Sequence, residues 1–553
     1  MKVILSQSAR YWHTIRYLRY IQIFGRLKRF FNRIQIDNSP LEALRLAHGV
    51  WVFPARRRQS MISNDLFCFL NETHQITSVD DWNNINFSKL WLYNLHYFDD
   101  LSAYDSIERA HWHRNQINEW IEGNPVGNGN GWEPYPSSLR IVNWIKWSLT
   151  GNILEEHWIR SLGLQVRYLS QNLEIHLMGN HIFANAKALL FAGCFFEGPE
   201  AKLWWKKGYR IIEKELDEQL LNDGGNFELS TMYHMIFLED LLDIVNLHFV
   251  YEKAVPKKLI ESINSMFNWL SAMCHPDGEI SFFNDAAFGN TPSVLELNDY
   301  RDRVYNKHNI RFKYQSTPSR SFIEFPYSGY TRVQMPNMVA IVDRASIGPD
   351  YIPGHAHADT LSFELSLFGQ RVVVNSGTSV YEQSENRKLQ RSTALHSTVV
   401  IDNQNSSEVW SAFRVARRAR VIECNSKKIK NIIKLSACHD GYKRLSGNQI
   451  HCREWVFEDN LLTIIDLIEG QGECKVDSVL PIHPDINIIN FKDNEANLEF
   501  QGKDILISVE GNGELSVLKS RYHQEFGKSV ENLKLVYSAR QILPIKLITR
   551  IRW

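Results

Sequence analysis

Apolar residues recur at helical spacing between about residues 40 and 315, as in Ile182, Ala184, Ala186, Leu189, Leu190 and Ala192, and again in Met235, Leu238, Leu241, Leu242, Val245 and Leu247. A stripe of this period is the core-facing side of an amphipathic helix. Short polar breaks separate the stripes at Gly123-Asn124-Pro125, Gly127-Asn128-Gly129-Asn130-Gly131, Asp223-Gly224-Gly225 and Pro276-Asp277-Gly278. Many helices joined by short loops predict an all-α layer. After Pro318 the period falls to two: Leu361, Phe363, Leu365 and Leu367 alternate with Ser362, Glu364 and Ser366. That alternation predicts a strand with one buried and one open face. Further strand-like runs at Arg371–Asn375, Thr398–Asp402, Arg418–Glu423, Ile432–Ser436, Glu454–Phe457, Leu461–Leu467, Asp504–Val509 and Leu533–Tyr537 predict an antiparallel β-sandwich. Three parts are expected: a basic segment over 1–40, a helical domain over 41–315 and a sandwich over 316–553.

Residues 1–36 hold Lys2, Arg10, Arg16, Arg19, Arg26, Lys28, Arg29 and Arg33 and no acidic residue, interleaved with Trp12, Ile15, Tyr17, Leu18, Ile21, Phe24, Phe30 and Phe31. Two readings stand: an interfacial helix in peripheral contact with anionic lipid, or a helix packed on the body with its cations in water. Polar Ser6, Gln7, Ser8 and Arg10 interrupt the apolar start before a signal-peptide core forms, so a cytoplasmic, soluble protein is expected. No apolar run is long enough for a spanning helix.

Charge narrows the partners. Lys plus Arg and Asp plus Glu balance at 62 each, which leaves no global basic field to draw nucleic acid. Aromatics make up 12% of the chain, and flat rings are surfaces on which sugar rings lie. The seven cysteines (Cys68, Cys194, Cys274, Cys424, Cys438, Cys452 and Cys474) show no framework spacing and are expected to be reduced, buried thiols.

The segment Gly354-His355-Ala356-His357 concentrates the candidate chemistry, with Asp359 close behind and His396 after an intervening hairpin. Such histidines converge on one metal or share a proton-transfer site. Polar residues also break the helical pattern at Gly179-Asn180-His181, along Asp223–His234 and at Phe283-Asn284-Asp285.

These segments, in this order and with Arg391–Asp402 downstream, resemble the heparinase II/III polysaccharide lyases over roughly residues 85 to 490. The resemblance implies an incomplete N-terminal (α/α) toroid followed by a C-terminal antiparallel β-sandwich. It also implies cleavage of an acidic, uronic-acid-containing polysaccharide by β-elimination. That reaction quiets the C5 carboxylate, removes the C5 proton and protonates the leaving O4, and each task wants its own residue type. A neutral hydrogen-bond donor holds the carboxylate as charge spreads into it, and Asn180 matches that position beside His181. As a plain structural residue, Asn180 would cap the following helix. Tyr233 matches the catalytic tyrosine. A phenol with a pKa near 10 needs cations nearby to act as a base, and His234, Arg140 and His355 are the candidates. His355 matches the catalytic histidine, as C5 base or as support for Tyr233.

His357 and His396 match positions that hold a divalent metal, zinc or calcium, in some relatives. The strand that usually supplies an acid ends here in Asn375, and an amide oxygen is a weaker, uncharged ligand. Trp91, Tyr93, His96, Tyr97, Trp132, Glu133, Tyr135, Arg140, Asn143 and Trp144 are expected to line the cleft, with Arg140 gripping a carboxylate. Asn284 and Asp285 match a loop near it. Two other outcomes stay open: a hydrolase or processing enzyme in assembly of a bacterial surface polysaccharide, and a non-catalytic glycan-binding protein on the same fold.

Overall fold

A computed structural model describes residues 2–31, 34–40, 43–315 and 318–553, without the side chains of residues 2–6 and 30. Lys2, Phe30 and Arg33 of the basic segment, and the boundaries expected after residues 40 and 315, fall on or beside positions outside that description.

The helical part runs from Lys89–Tyr97 through Ala110–Gly123, Pro134–Leu149, Glu156–Gln171, Gly179–Phe195, Gly198–Gln219, Thr231–Val250 and Lys257–Ala272 to Val294–Lys307. These helices form the (α/α) toroid. Gly179–Phe195 and Thr231–Val250 are buried on nearly every side, so their apolar residues wrap the whole helix rather than one stripe. Two glycines permit the closest packing. A Cβ on Gly208 would sit 2.6 Å from the Ala186 carbonyl oxygen, and one on Gly193 would sit 2.5 Å from the Trp205 nitrogen. One apolar core holds this part together, from Trp51 through Trp144, Leu189 and Leu241 to Tyr300.

The second half is antiparallel. A five-stranded meander runs Ser321–Phe325, Tyr330–Met335, Met338–Asp343, Phe363–Leu367 and Gln370–Val373. A four-stranded sheet orders Gly513–Glu525, Lys528–Ile542, Glu473–Pro481 and Val399–Ile401, and Val373 bridges to Ile482 where the two sheets meet. Against this combined layer packs an eight-stranded sheet whose centre is Ile450–Glu458, Leu461–Glu469 and Ile545–Arg552. The inner faces interlock through Val342, Phe363 and Leu365 on one side and Leu435, Trp455 and Ile464 on the other.

One expectation changes here. Phe363–Leu367 is buried on both faces, and its polar side meets the helical domain instead of water. His275 reaches across to Glu364 at 2.8 Å and to Ser366 at 2.7 Å. The same face packs Tyr330 and Ile341 against Trp269 and Phe283. The interface is thus part apolar core and part paired polar groups, which holds the sandwich in a fixed place on the toroid.

The cysteine expectation also changes. Cys438 and Cys452, directly opposed on neighbouring strands, form a disulfide, while Cys424 is exposed and Cys68 half-buried.

Candidate active site

A cleft of about 1180 Å³ lies between the toroid and the sandwich. Asn180, His181, Tyr233 and His355 all line it, although they come from three separate segments. The segments that carry Asn180 and Tyr233, and the loop that carries Asp285 beneath His355, each include a strained residue. Met178 (φ 61°), Leu229 (φ 58°) and Asn284 (φ 58°) adopt left-handed backbone, which costs a non-glycine residue roughly 1–3 kcal/mol. Such strain persists only where surrounding contacts over-determine the loop.

Ser230 supplies many of those contacts. Its Oγ caps the helix Thr231–Val250 by accepting from the Tyr233 backbone N–H at 3.2 Å, and its hydroxyl donates to the Asp285 carbonyl at 2.5 Å. Tyr233 is thereby fixed in the first helical turn, facing the cleft. Its ring lies against the His355 imidazole with centroids 3.9 Å apart, and its hydroxyl is 3.0 Å from that of Tyr381.

Asp285 is the hub of the site. Its carboxylate meets His355 Nδ1 at 2.9 Å and His357 Nε2 at 2.8 Å, accepts from Thr378 at 3.2 Å, and is clamped by both terminal nitrogens of Arg387. Burial alone would raise its pKa. The Arg387 guanidinium and the hydrogen bonds from both histidines outweigh burial and hold it well below the usual carboxylate range. An anionic Asp285 accepts a hydrogen bond from the N–H at His355 Nδ1, which leaves the lone pair on His355 Nε2. That nitrogen lies 3.8 Å from Glu228 at the cleft.

Tyr233 is surrounded by groups that disfavour phenolate. Burial first, then Tyr381, Asp285 and Glu228, push its hydroxyl well above the ordinary phenol value. It is therefore a proton donor in the resting site. Glu228, also buried, has its pKa raised by desolvation, which favours the protonated, hydrogen-bond-donating acid. Asn180 is the second residue of the helix Gly179–Phe195, so the capping alternative is overturned: Met178 occupies the cap position. Burial raises the pKa of the Tyr135 hydroxyl, and the neighbouring Asn180 side chain acts against that rise. His181 binds Glu174 at 3.0 Å and packs on Tyr135.

The expected lining is reached only in part. Tyr93, Tyr97, Tyr135, Asn143 and His181 face the cleft, and Glu133 holds the Tyr93 hydroxyl from behind. Trp91, Trp132, His96, Trp144 and Arg140 are core residues. Arg140 spends its donors on Gln165, the His96 carbonyl and the Gly131 carbonyl, and lies on the Trp120 ring, so it cannot grip a substrate carboxylate. His234 points away from the cleft, stacked on Trp269 and bonded to the Met266 carbonyl, because consecutive helical residues project about 100° apart. Neither Arg140 nor His234 is available to favour a Tyr233 phenolate. Asn284 is internal and receives the His357 backbone N–H on its side-chain oxygen. Asp285 is internal too and acts through the histidines.

Tyr381, Arg387 and Phe413 had no signal in the periodicity. They lie in an irregular stretch, in a short helix and in a loop. Glu228 stood within a segment marked as anomalous, and its order beside Tyr233 was the available hint.

The metal expectation does not fit the donor set. His357 Nδ1 and His396 Nε2 face one another at 3.1 Å, while their other ring nitrogens are held by Asp285 and by the Ser392 carbonyl. Asn375 is engaged by Ser362 and the Ser397 N–H, and contributes no charge. Among the described residues no group of three His, Cys, Asp or Glu side chains converges on a metal position. Two imidazoles and an amide lack the anionic third ligand of a tight site. Asn375→Asp is expected to convert this chain from substoichiometric to one zinc per molecule, measured by mass spectrometry after dialysis. Equal metal content in both proteins would show that the amide is not what weakens the site.

The cleft floor is ionic and internally balanced. Lys146 reaches Asp243 at 2.9 Å, Lys187 joins Asp240 and Asp243 at 2.6 Å each, and Arg57 joins Glu239 at 2.6 Å.

Comparison with known proteins places this geometry among relatives. The family model described as Heparinase II/III N-terminus matches residues 90–312, and that described as Heparinase II/III-like, C-terminal matches residues 317–553. The chain is 28% identical over 256 residues to a heparin-sulfate lyase of Bacteroides stercoris, covering 43% of this chain and 38% of that one. It is 26% identical over 326 residues to a heparin-sulfate lyase of Pedobacter heparinus, covering 52% and 48%. The match thus spans less than half the length of these curated relatives. Among solved structures, a heparinase III superposes with a TM-score of 0.71 at 18% identity, over 86% of this chain and 80% of that one. Heparan sulfate lyase HepC from Pedobacter heparinus superposes at 0.58 with 18% identity, over 96% and 87%. At such identities the likeness is one of fold.

Proposed function

The chain belongs to the heparinase II/III family, and on that premise we propose that it is a polysaccharide lyase that cleaves a uronic-acid-containing glycan by β-elimination. One observation carries this reading: the Tyr233 phenol and the His355 imidazole lie ring to ring at the cleft, the imidazole oriented by anionic Asp285.

His355 Nε2 takes the C5 proton. The electrons of the C5–H bond form the C4–C5 double bond, the C4–O4 bond breaks, and Tyr233 donates its hydroxyl proton to the leaving oxygen. Asn180 donates a hydrogen bond to the substrate carboxylate, where negative charge accumulates. The proton on His355 then returns to the adjacent phenolate, which resets the site without an outside reagent. No step requires a metal.

The test is incubation with a panel of uronate polymers, read by the ultraviolet absorbance of the C4–C5 double bond and by product mass. Unsaturated ends with wild type and none with His355→Ala are the expected result. Products one water heavier, or none from any polymer, would overturn it.

A second part of the proposal concerns the basic segment. The helix Tyr20–Phe31 buries Gln22 and Gly25 on its inner side and turns Tyr20, Phe24 and Leu27 outward at 92%, 65% and 57% exposure. With no acidic residue in residues 1–36, that outer stripe suits the surface of an anionic bilayer. Among the described residues no helix is long and apolar enough to cross a membrane. Co-sedimentation with phosphatidylglycerol-containing vesicles is expected for wild type and lost in a Phe24→Ser, Leu27→Ser double variant. Wild type remaining in the supernatant would exclude surface binding.

A further inference from the structure

The helices Lys2–Ile15 and Tyr20–Phe31 lie outside both family matches, yet Ile15, Leu18, Ile23 and Arg26 line the cleft. They are latched to both domains. On the toroid side, Arg19 pairs with Glu218 at 2.6 Å, and Gly25 approaches His176 so closely that an added Cβ would lie 2.8 Å from the histidine Cβ. On the sandwich side, buried Gln22 donates to the Tyr351 carbonyl at 3.0 Å, and the Arg19 guanidinium lies 3.6 Å from the Tyr351 ring centre. Arg418 covers the Tyr17 ring at 3.8 Å, and Trp410 donates to Thr14 at 3.1 Å.

A segment tied to both walls of a cleft is a strap across it. A polymer lying along the boundary between the domains would have to pass beneath that strap, past Ile15, Leu18 and Ile23, which line the cleft there. Tyr351 stands four residues before His355, so the latch is also continuous with the loop that carries the base.

We infer that the strap closes one end of the cleft, so that the enzyme takes the end of a glycan chain and releases short products from it instead of cutting within the chain. The inference rests on the lyase reading for its product test, and on the strap alone for its second test. Strain is not required to hold the strap: an ion pair, a cation–π contact and buried hydrogen bonds are sufficient.

In the first test, an unsulfated polymer of alternating glucuronate and N-acetylglucosamine is digested, alongside the rest of the uronate panel. Wild type is expected to release short unsaturated products from the earliest time points with little loss of viscosity. Arg19→Ala with Gln22→Ala, or deletion of residues 2–31, is expected to give a broad ladder and a several-fold larger viscosity drop per bond cut. A broad ladder already from wild type, or identical profiles from latched and unlatched proteins, overturns the inference while leaving the lyase reading intact. No unsaturated product from any protein overturns the lyase reading instead.

The second test needs no turnover. Leu139→Cys, made in a Cys68→Ser, Cys424→Ser background that removes the half-buried and exposed native thiols, places a thiol in the cleft. A small maleimide should label it in every background, and a maleimide on a long polyethylene glycol only when the strap is unlatched. Circular dichroism confirms that the double variant is folded. Equal labelling by the long reagent in both backgrounds shows that the strap does not close the cleft.

Discussion

Tyr233→Phe is expected to lose about 10²–10⁴-fold in kcat, the usual worth of a positioned acid or base, with substrate binding little changed. The substitution removes one oxygen and leaves the ring that packs on His355. Only the proton donor to O4 is lost, because the surroundings already disfavour phenolate and give that oxygen no basic role at rest. Tyr381→Phe is the control: it removes the partner 3.0 Å away and should cost much less, since the Tyr233 hydroxyl keeps its proton. Initial rates and single-turnover measurements separate the two effects. A Tyr233→Phe enzyme within a few-fold of wild type would assign the O4 proton to another group.

Arg387→Ala is expected to be the most destabilising single change at the site. Arg387 and Asp285 are fully buried partners, and removing one leaves the other charge without compensation, at a cost of about 3–5 kcal/mol. The effect should depend on pH in a defined direction. Asp285 is depressed in the folded protein, so its contribution is complete above the unfolded carboxylate pKa and is lost as pH falls through the folded value. In Arg387→Ala that folded value rises, so acid unfolding should begin at a higher pH than in wild type. Thermal melts across the acid range read both quantities. The same variant should lower kcat beyond its effect on stability, because an Asp285 carboxylate freed from the Arg387 clamp no longer holds the His355 ring in a fixed position. Melting curves that coincide with wild type would mean that Arg387 contributes no net clamp.

Asn180, Tyr233 and His355 were legible because each stood in a short polar segment that broke an otherwise apolar pattern, and the order of the segments resembled one family. Asp285 was legible as part of such a segment, though not as the hub beneath two histidines. The failures have a common cause. Arg140, His96 and His234 are polar residues on helices, and a pattern that separates apolar from polar positions reads them as facing solvent or a cleft. Each is instead satisfied inside the core, by carbonyls and aromatic faces that other helices supply. The Glu364 strand misled in the same way. Its polar alternation is real, but the partner of that face is the His275 side of the toroid.

By itself the sequence determined the elements and their succession. Helical and strand periods are set by neighbours a few residues apart, and the switch near Pro318 divides the two halves without reference to anything distant. Tertiary structure decided the meaning of every long-range pairing: that Asp285 and Arg387, separated by 102 positions, form one clamp, that His357 faces His396 in place of an acid-completed metal set, and that the basic segment straps the cleft. Such contacts depend on which surfaces meet when the toroid and the sandwich dock. No local period along the chain encodes that meeting, because its free energy arises only when both surfaces are present.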